Sequence, residues 1–473
     1  MNADAQLQHA IDLHRSGRVA EAEALYRAFL QAHPRHGEAN HNLGSLLAQR
    51  GEMQQSLAFF KNALQADTAF GQYWISYARA LISSGHAAEA AALLQRGRQQ
   101  GLSGPTVDAL MAKALISGSR FQEAAVLLQS AVAQQPGNAA LLLELGYAFT
   151  IAEKFEDAIA AYRQALAINP GFAEAHFRLG SILSENGQIA EGFAHYMRRA
   201  ALVYGTGKGP VPSEPEPEHK RKHDHEQRDY LAGGTAAPDA ANVADLFHLD
   251  GGERLAGRAI NPAGPSLMPE WHGSNPQMVV IDDFLTPKAL DQLRRYCAGS
   301  TIWRRIYQAG YIGATPEDGF SCPLLAQIAE EILQNFAGIL APHPFHYLGA
   351  FKYDSTLSTG TNTHADNSAV NVNFYLTHDD ANLDPDSGGM DIWDVGVPPG
   401  DDMRRYNGDE AYARDFLKQS NARMTRVPHR ANRAVIFRSD LFHKTSDCRF
   451  EEGYLNKRIN ISLLFGRRGA PTR

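Results

Sequence analysis

The chain has 473 residues, 44% hydrophobic and 21% charged, with a formal net charge of -7, a length that implies two or three domains rather than one. An acidic balance lacks the positive field that draws a phosphate backbone, so nucleic acid is not an expected partner; no window approaches the roughly 18 uninterrupted apolar residues of a membrane helix, so a membrane is not one either. The opening MNADAQLQHAIDLHRSGRV has neither a basic leader nor an apolar core, which predicts a cytoplasmic protein, and three widely spaced cysteines (Cys297, Cys322, Cys448) argue for buried thiols rather than a disulfide framework.

From residue 3 to about 203 the chain repeats every 34 residues without insertion. Tyr26, Phe60, Leu94, Leu128, Tyr162 and Tyr196 form a column of large apolar residues, each 34 apart. Two further columns are small: Ala22, Ser56, Ala90, Ala124, Ala158, Gly192, and Ala10, Gly44, Ala78, Ala112, Gly146, Gly180. Small residues at fixed helix positions let two helices approach closely, and the large ring is expected to fill the gap between one hairpin and the next. This predicts an all-α solenoid of six helical hairpins over residues 1–204. The pattern resembles the tetratricopeptide repeat family, most fully in LGYAFTIAEKFEDAIAAYRQALAINP (145–170). Repeats three and four fit less well, with Leu102 where Pro34, Pro136 and Pro170 close other repeats. The resemblance implies a concave groove for a protein or peptide partner; the alternative is that the repeats serve assembly, which leaves an oligomer open. Asn42 is matched in the other repeats by Gln8, Ser76, Leu110, Glu144 and Arg178, so no Asn or Lys ladder names the partner.

At Gly205 the helical period fails. GTGKGPVPSEPEPEHKRKHDHEQRDYLAGG is rich in Pro, Gly and charge, and 205–276 reads as a linker and irregular connecting segment. Within it a polar helix is expected from about Glu218 to Leu231. His223 and His225 are read there as part of a solvated charge run rather than a metal site.

A second domain is predicted over 277–473. MVVIDDFLTPKALDQLRRYC (278–297) gives a short strand and a helix capped by Thr286 with Pro287 in its first turn. Leu324, Ile328, Ile332 and Phe336 recur every four residues and predict a helix over 323–340. The period then becomes two, with strands expected at 346–353, 370–377, 390–395, 434–438 and 458–465. Helices packed against an all-β core fit this order. The stretch 395–430 interrupts it, with a helix expected from Asp409 to Lys418; a loop of that length is a substrate lid or packing for the solenoid.

Three pieces of this half carry chemistry. His364 and Asp366 in THADNSAVNVNFYL lie two apart, so extended backbone projects both to one side about 6.5–7 Å apart, within reach of one ion. His443 in VIFRSDLFHKT adds a second imidazole. Two imidazoles and a carboxylate occupy one face of an octahedron and leave three positions open, the set that suits non-haem Fe(II). Zinc also accepts such ligands, though usually with Glu and a helical His pair. In RINISLLF, Arg458, Asn460 and Ser462 share one strand face while Ile459, Ile461 and Leu463 share the other, so the inner face needs something polar to bind. Arg is the side chain best matched to a carboxylate.

These motifs, with SGGMDIWD (387–394), make residues 278–467 similar to the Fe(II)- and 2-oxoglutarate-dependent dioxygenase superfamily, nearest its prolyl-hydroxylase-like branch. The resemblance implies a double-stranded β-helix, or jelly roll. It places Fe(II) on His364, Asp366 and His443, the distal carboxylate of 2-oxoglutarate on Arg458, and Tyr353 and Ser462 in the same cosubstrate pocket. Lys457 is the neighbouring alternative to Arg458, because that branch often uses Lys here. The implied reaction consumes 2-oxoglutarate and O2, releases succinate and CO2, and hydroxylates a second substrate, with no catalytic residue beyond the metal centre. With the repeats attached, the expected substrate is a residue of a protein or peptide. The alternatives are a small molecule or carbohydrate, or an inactive oxygenase domain kept as a scaffold.

Overall fold

The computed structural model describes residues 3–205, 216–233, 247–264, 267–357, 360–398 and 400–468. The Pro- and Gly-rich part of the linker, 206–215, and the connecting stretch 234–246 lie outside them. The chain divides into two compact units, Met1–Pro170 and Gly171–Arg473.

The first unit is five antiparallel helical hairpins. First helices begin at Ala3, Gly37, Gly71, Pro105 and Ala139, and second helices at Val19, Met53, Ala87, Phe121 and Phe155, so every start recurs after 34 residues as the sequence predicts. The turn inside each hairpin needs a left-handed residue. Gly17, Gly51 and Gly85 supply it at φ 78°, 81° and 81°, and Ser119 and Glu153 adopt it at 60° and 56°.

The large and small columns meet inside one hairpin, while Tyr26 of the first hairpin shares a core with Ala39, Leu43 and Leu47 of the second. A Cβ on Gly44 would lie 3.0 Å from the ring of Phe60, and one on Gly146 would lie 2.5 Å from that of Tyr162. The missing Cβ is what lets each ring lie on the facing helix. Leu102, in the place of the repeat-closing Pro, tucks its side chain against Gly97 and Gly71.

The second unit begins with a sixth hairpin, Ala173–Glu185 and Ile189–Tyr204. Its Ile189, Phe193 and Tyr196 lie in one apolar core with Leu293, Ile328, Phe345 and Ile461. Glu185 pairs with His346 and Arg467, each at 3.1 Å, and Arg199 and Tyr204 donate to the carbonyl of Glu317. The unit edge therefore falls one repeat before the expected domain edge at residue 204, because this hairpin shares its core with the strands that follow.

Ten strands are described: β1 (Met278–Ile281), β2 (Arg305–Ile306), β3 (Tyr311–Ala314), β4 (Phe345–Tyr353), β5 (Val370–Tyr375), β6 (Met390–Gly396), β7 (Met424–Val427), β8 (Ala434–Arg438), β9 (Leu441–Thr445) and β10 (Arg458–Phe465). They form a seven-stranded sheet in the order β1-β8-β5-β10-β4-β3-β2 and a three-stranded sheet β7-β6-β9, all of whose recorded pairings are antiparallel. One face of the large sheet (Leu348, Val372, Phe374, Ile461, Leu463) joins the core beneath helices Pro287–Gly299 and Pro323–Asn335. Thr286 caps the first of these, accepting from the Ala289 amide at 3.4 Å. The helix expected over 323–340 stops at Asn335, and a short turn of helix, Ala337–Leu340, follows.

Helix Glu218–Gly233 is where it was expected, but one of its faces is not solvated. Lys220, His223, Asp224 and Gln227 are buried. His223 Nδ1 lies 3.0 Å from Asp224 Oδ1, Lys220 pairs with Asp224, and His223 Nε2 lies 3.5 Å from Nζ of the buried Lys352. Lys352 is held over the rings of Tyr454 and Trp303. Of the two histidines, His225 matches the expectation, exposed beside Asp229, as are Arg221 and Arg228. Cys297 and Cys322 are buried free thiols, while Cys448 is half-buried.

Candidate active site

Alternation along the strands builds a cavity of about 410 Å³ on the other face of the large sheet. β10 turns Arg458, Asn460, Ser462 and Leu464 toward it; β5 turns Asn371 and Asn373, and β4 turns Tyr347, Phe351 and Tyr353. The register puts Arg458 opposite Tyr353 and Ser462 opposite Asn373. Tyr311 stacks on Tyr353 with ring centres 4.8 Å apart, and Tyr307 stacks on Tyr311 at 4.4 Å, which makes one wall aromatic.

His364 and Asp366 lie just ahead of β5, and His443 lies on β9 of the small sheet. The amide of His364 donates to the carbonyl of His443 at 3.0 Å and the reverse bond is 2.8 Å, while the Asp366 amide donates to Ser439 O at 2.9 Å. The structure thus brings these three residues together: their ligand atoms all lie within 4.8 Å of one another, and among the described residues they are the group of three or more that could hold a metal ion. His223 and His225 join no such group.

The hydrogen bonds fix the imidazoles in a ligating form. His364 Nδ1 lies 2.8 Å from Asn362 O, and His443 Nδ1 lies 2.9 Å from Leu441 O. A carbonyl only accepts, so Nδ1 carries a proton in each ring and Nε2 is the nitrogen left to face the other two residues, as at sites where a carbonyl orients a metal-bound imidazole. Burial, then the neighbouring His443, lowers the pKa of His364, favouring the neutral ring. Burial alone would raise that of Asp366, but the His443 contact at 3.5 Å, His364 and the Asn371 Nδ2 donor at 2.9 Å outweigh it and hold the carboxyl at about 2. A neutral imidazole and an ionised carboxylate are the forms a divalent cation binds.

Arg458 is 1% exposed. Its Nε donates to Gly388 O at 2.5 Å, Nη2 to Gly389 O at 3.1 Å and Nη1 to Asn460 Oδ1 at 2.7 Å. No carboxylate among the described residues pairs with it, so a buried cation faces the cavity without a counter-ion, an arrangement that is costly unless an anion binds there. The Gly-Gly of SGGMDIWD thereby gains a local reason: its two carbonyls hold the guanidinium, and a Cβ on Gly389 would strike Val427 O at 2.0 Å. Lys457 is not in the cavity; it pairs with Glu226 and with Asp354, the latter at 3.1 Å. Tyr353 is buried, its hydroxyl accepting from Thr445 at 3.3 Å and its pKa pushed up to about 12 by burial. Ser462 lines the cavity and accepts from Asn373 Nδ2 at 2.6 Å.

Sequence reasoning missed Asn371. It sits on the polar face of an alternating strand, where nothing distinguishes it from Asn373. Its side chain is fixed by chemistry: Asp366 can only accept, so Nδ2 faces the carboxylate and Oδ1 is left buried without a partner. The insert 395–430 brings Asn407 to the lining of the cavity. Helices Met403–Gly408 and Glu410–Gln419 form a small core of their own with Ala365 and Phe442, and β7 closes the small sheet.

Profiles of the tetratricopeptide repeat match residues 7–70 and 47–114, and a TPR repeat profile matches 146–187. No curated protein matches the chain. Among solved structures, a tetratricopeptide repeat protein from Parabacteroides merdae is 14% identical, with 43% of this chain and 79% of that one covered at a TM-score of 0.39. YrrB, a TPR protein with an unusual peptide-binding site, is 15% identical over 37% of this chain and 91% of that one, at 0.29. PilW, a type IV pilus biogenesis factor, is 15% identical over 42% and 92%, at 0.38. No helix among the described residues is long and apolar enough to cross a membrane. The N-terminal part of the chain is a tetratricopeptide repeat array, followed by a β-rich region of antiparallel sheets.

Proposed function

We propose that the β-rich region is a double-stranded β-helix oxygenase that binds Fe(II) through His364, Asp366 and His443 and takes 2-oxoglutarate and O2 as cosubstrates. One observation carries the reading: two Nδ1-anchored imidazoles and an ionised carboxylate converge within 4.8 Å at a cavity that also holds a buried, counter-ion-free Arg458. The two-His-one-carboxylate set leaves positions open for small ligands, and a guanidinium suits a carboxylate through parallel hydrogen bonds.

Bound iron would supply oxidative decarboxylation of a 2-oxo acid coupled to hydroxylation. The chain's own part is positional. Arg458 receives the distal carboxylate, Tyr353 flattens the pocket beside it, and Ser462 with Asn373 offers a polar floor. Asn371 keeps Asp366 in one orientation, and the stacked Tyr307 and Tyr311 shield the site from water. Tetratricopeptide arrays serve protein–protein interaction, which favours a residue of a protein or peptide as the group hydroxylated.

The test is anaerobic reconstitution with Fe(II), followed by air and 2-oxoglutarate. Succinate is expected from the parent protein, and a His364→Ala protein that turns over as fast as the parent would sink the assignment. The substrate class is tested by capturing partners on residues 1–170 and measuring an added oxygen by mass spectrometry after incubation with the full chain.

A further inference from the structure

The residue between the two loop ligands is held as firmly as they are, and from the opposite side. In an extended segment successive peptide groups point in opposite directions. Those of His364 and Asp366 bond to His443 and Ser439. Ala365 faces the other way, where a sheet would supply another strand. Here a side chain takes that place: the Ala365 amide donates to Asn407 Oδ1 at 3.1 Å, and its carbonyl accepts from Asn407 Nδ2 at 2.9 Å. A carboxamide offers one donor and one acceptor in the spacing of a peptide group, so Asn407 pairs with Ala365 as a neighbouring strand would.

Two further contacts make this a fixed brace. The Ala365 side chain is 1% exposed and sits in the insert's core with Tyr406, Leu417 and Phe442. Tyr406, next to Asn407, is buried and donates its hydroxyl to Asp401 at 2.7 Å. Helix Met403–Gly408 is therefore pinned on one side of Asn407, and its carboxamide reaches the cavity wall.

We propose that Asn407 is a positioning residue for the metal centre, fixing the Ala365 peptide so that His364 and Asp366 meet His443. The inference rests on reading those three as metal ligands. Without the clamp the loop is held on one edge only, and metal binding must then order it, which subtracts from affinity. The insert thereby acquires a role in assembling the centre.

The test uses the full chain freed of metal and titrated with Co(II), an oxygen-stable probe, following the ligand-field absorption of the bound ion. The parent is expected to bind and His364→Ala to fail. Asn407→Ala is expected to bind about 10- to 100-fold more weakly, with a displaced band, as outer-shell losses typically do. Asn407→Asp keeps an acceptor for the Ala365 amide, loses the donor to its carbonyl, and is expected to weaken binding as well; it answers the question where the Ala variant does not fold. Arg404→Ala lies on the same helix and removes only a pairing with Asp402, so it should keep the parent's affinity. Parent-like affinity and spectrum in the folded Asn407 variants would overturn the positioning role while leaving the metal centre intact. A parent that binds no Co(II) overturns the metal reading itself, and the inference with it.

Discussion

Arg458 and Tyr353 face each other across the β10–β4 ladder, both buried, with the guanidinium carbon 4.8 Å from the centre of the phenol ring. Tyr375 flanks the same group at 5.2 Å. The cation is thus sandwiched by rings and carbonyls, and its electrostatic demand is directed into the cavity. Replacing Arg458 by Met should raise the KM for 2-oxoglutarate by the equivalent of about 2–5 kcal/mol, the usual loss when one member of a buried charge pair is truncated. Because the proposed contact would serve bound cosubstrate and transition state alike, kcat at saturation should fall much less. Initial rates of succinate release against 2-oxoglutarate concentration decide it; an unchanged KM would assign the carboxylate elsewhere.

Gly146 gives the repeat array a sharp stability test. Gly to Ala inside a helix ordinarily gains up to about 1 kcal/mol. At Gly146 the new methyl would lie 2.5 Å from the Tyr162 ring, and overpacking of this kind costs about 1–3 kcal/mol. Gly146→Ala should therefore lower the urea midpoint of residues 1–170. Gly137→Ala, where nothing lies within 4 Å, should shift it by no more than about 0.5 kcal/mol.

His429 predicts how the second unit responds to acid. Burial, then the charge of Arg458, lowers its pKa from 6.5 to about 4, against the weaker pull of Asp379 at 3.9 Å. Nε2 lies 3.2 Å from Thr377 O and Nδ1 is buried without a partner, so a second proton would find no acceptor. Between pH 4 and 6.5 the unfolded chain binds this proton and the folded one does not. Stability therefore rises with pH across that window, by about 3 kcal/mol from this residue. His429→Gln keeps a donor for Thr377 and should flatten the dependence in denaturant titrations from pH 4.5 to 7.5; equal slopes in the two proteins would refute it.

The sixth hairpin sets where the chain can be cut. Burying three large side chains such as Ile189, Phe193 and Tyr196 stabilises by roughly 1.5–3 kcal/mol each, comparable with the roughly 5–15 kcal/mol net stability of a domain. Residues 171–473 should give a soluble, cooperatively melting protein. Residues 205–473, which lose those side chains and the Glu185 ion pairs, should aggregate or melt far lower. Equal melting temperatures would show that the hairpin is dispensable.

What the sequence revealed follows how local each cause is. The 34-residue period located every hairpin because each start is set by neighbours within the repeat, and the alternation Arg458, Asn460, Ser462 marked the cavity face because a strand sorts its own side chains. β9, which carries His443, was not predicted: five residues follow β8 after a two-residue turn and pair with a different sheet. The burial of Lys220, His223 and Asp224 was hidden for a similar reason. Their composition alone reads as solvated, and only Lys352, Trp303 and Tyr454, far away in sequence, give them an interior. Asn407 was invisible because its partner is a backbone group, which no residue pattern advertises.

The place of β10 in the large sheet bears on how the protein is made. It is the last of the ten described strands in chain order, yet it lies between β5 and β4. Until it is synthesised the sheet exists as two separate halves, β1-β8-β5 and β4-β3-β2, each with a bare edge of unpaired backbone groups. Such edges invite pairing with other chains, so ribosome-bound intermediates of this protein should be prime clients for chaperones. Arg458 opens that strand; the residue proposed to hold the cosubstrate arrives with the wedge that joins the halves.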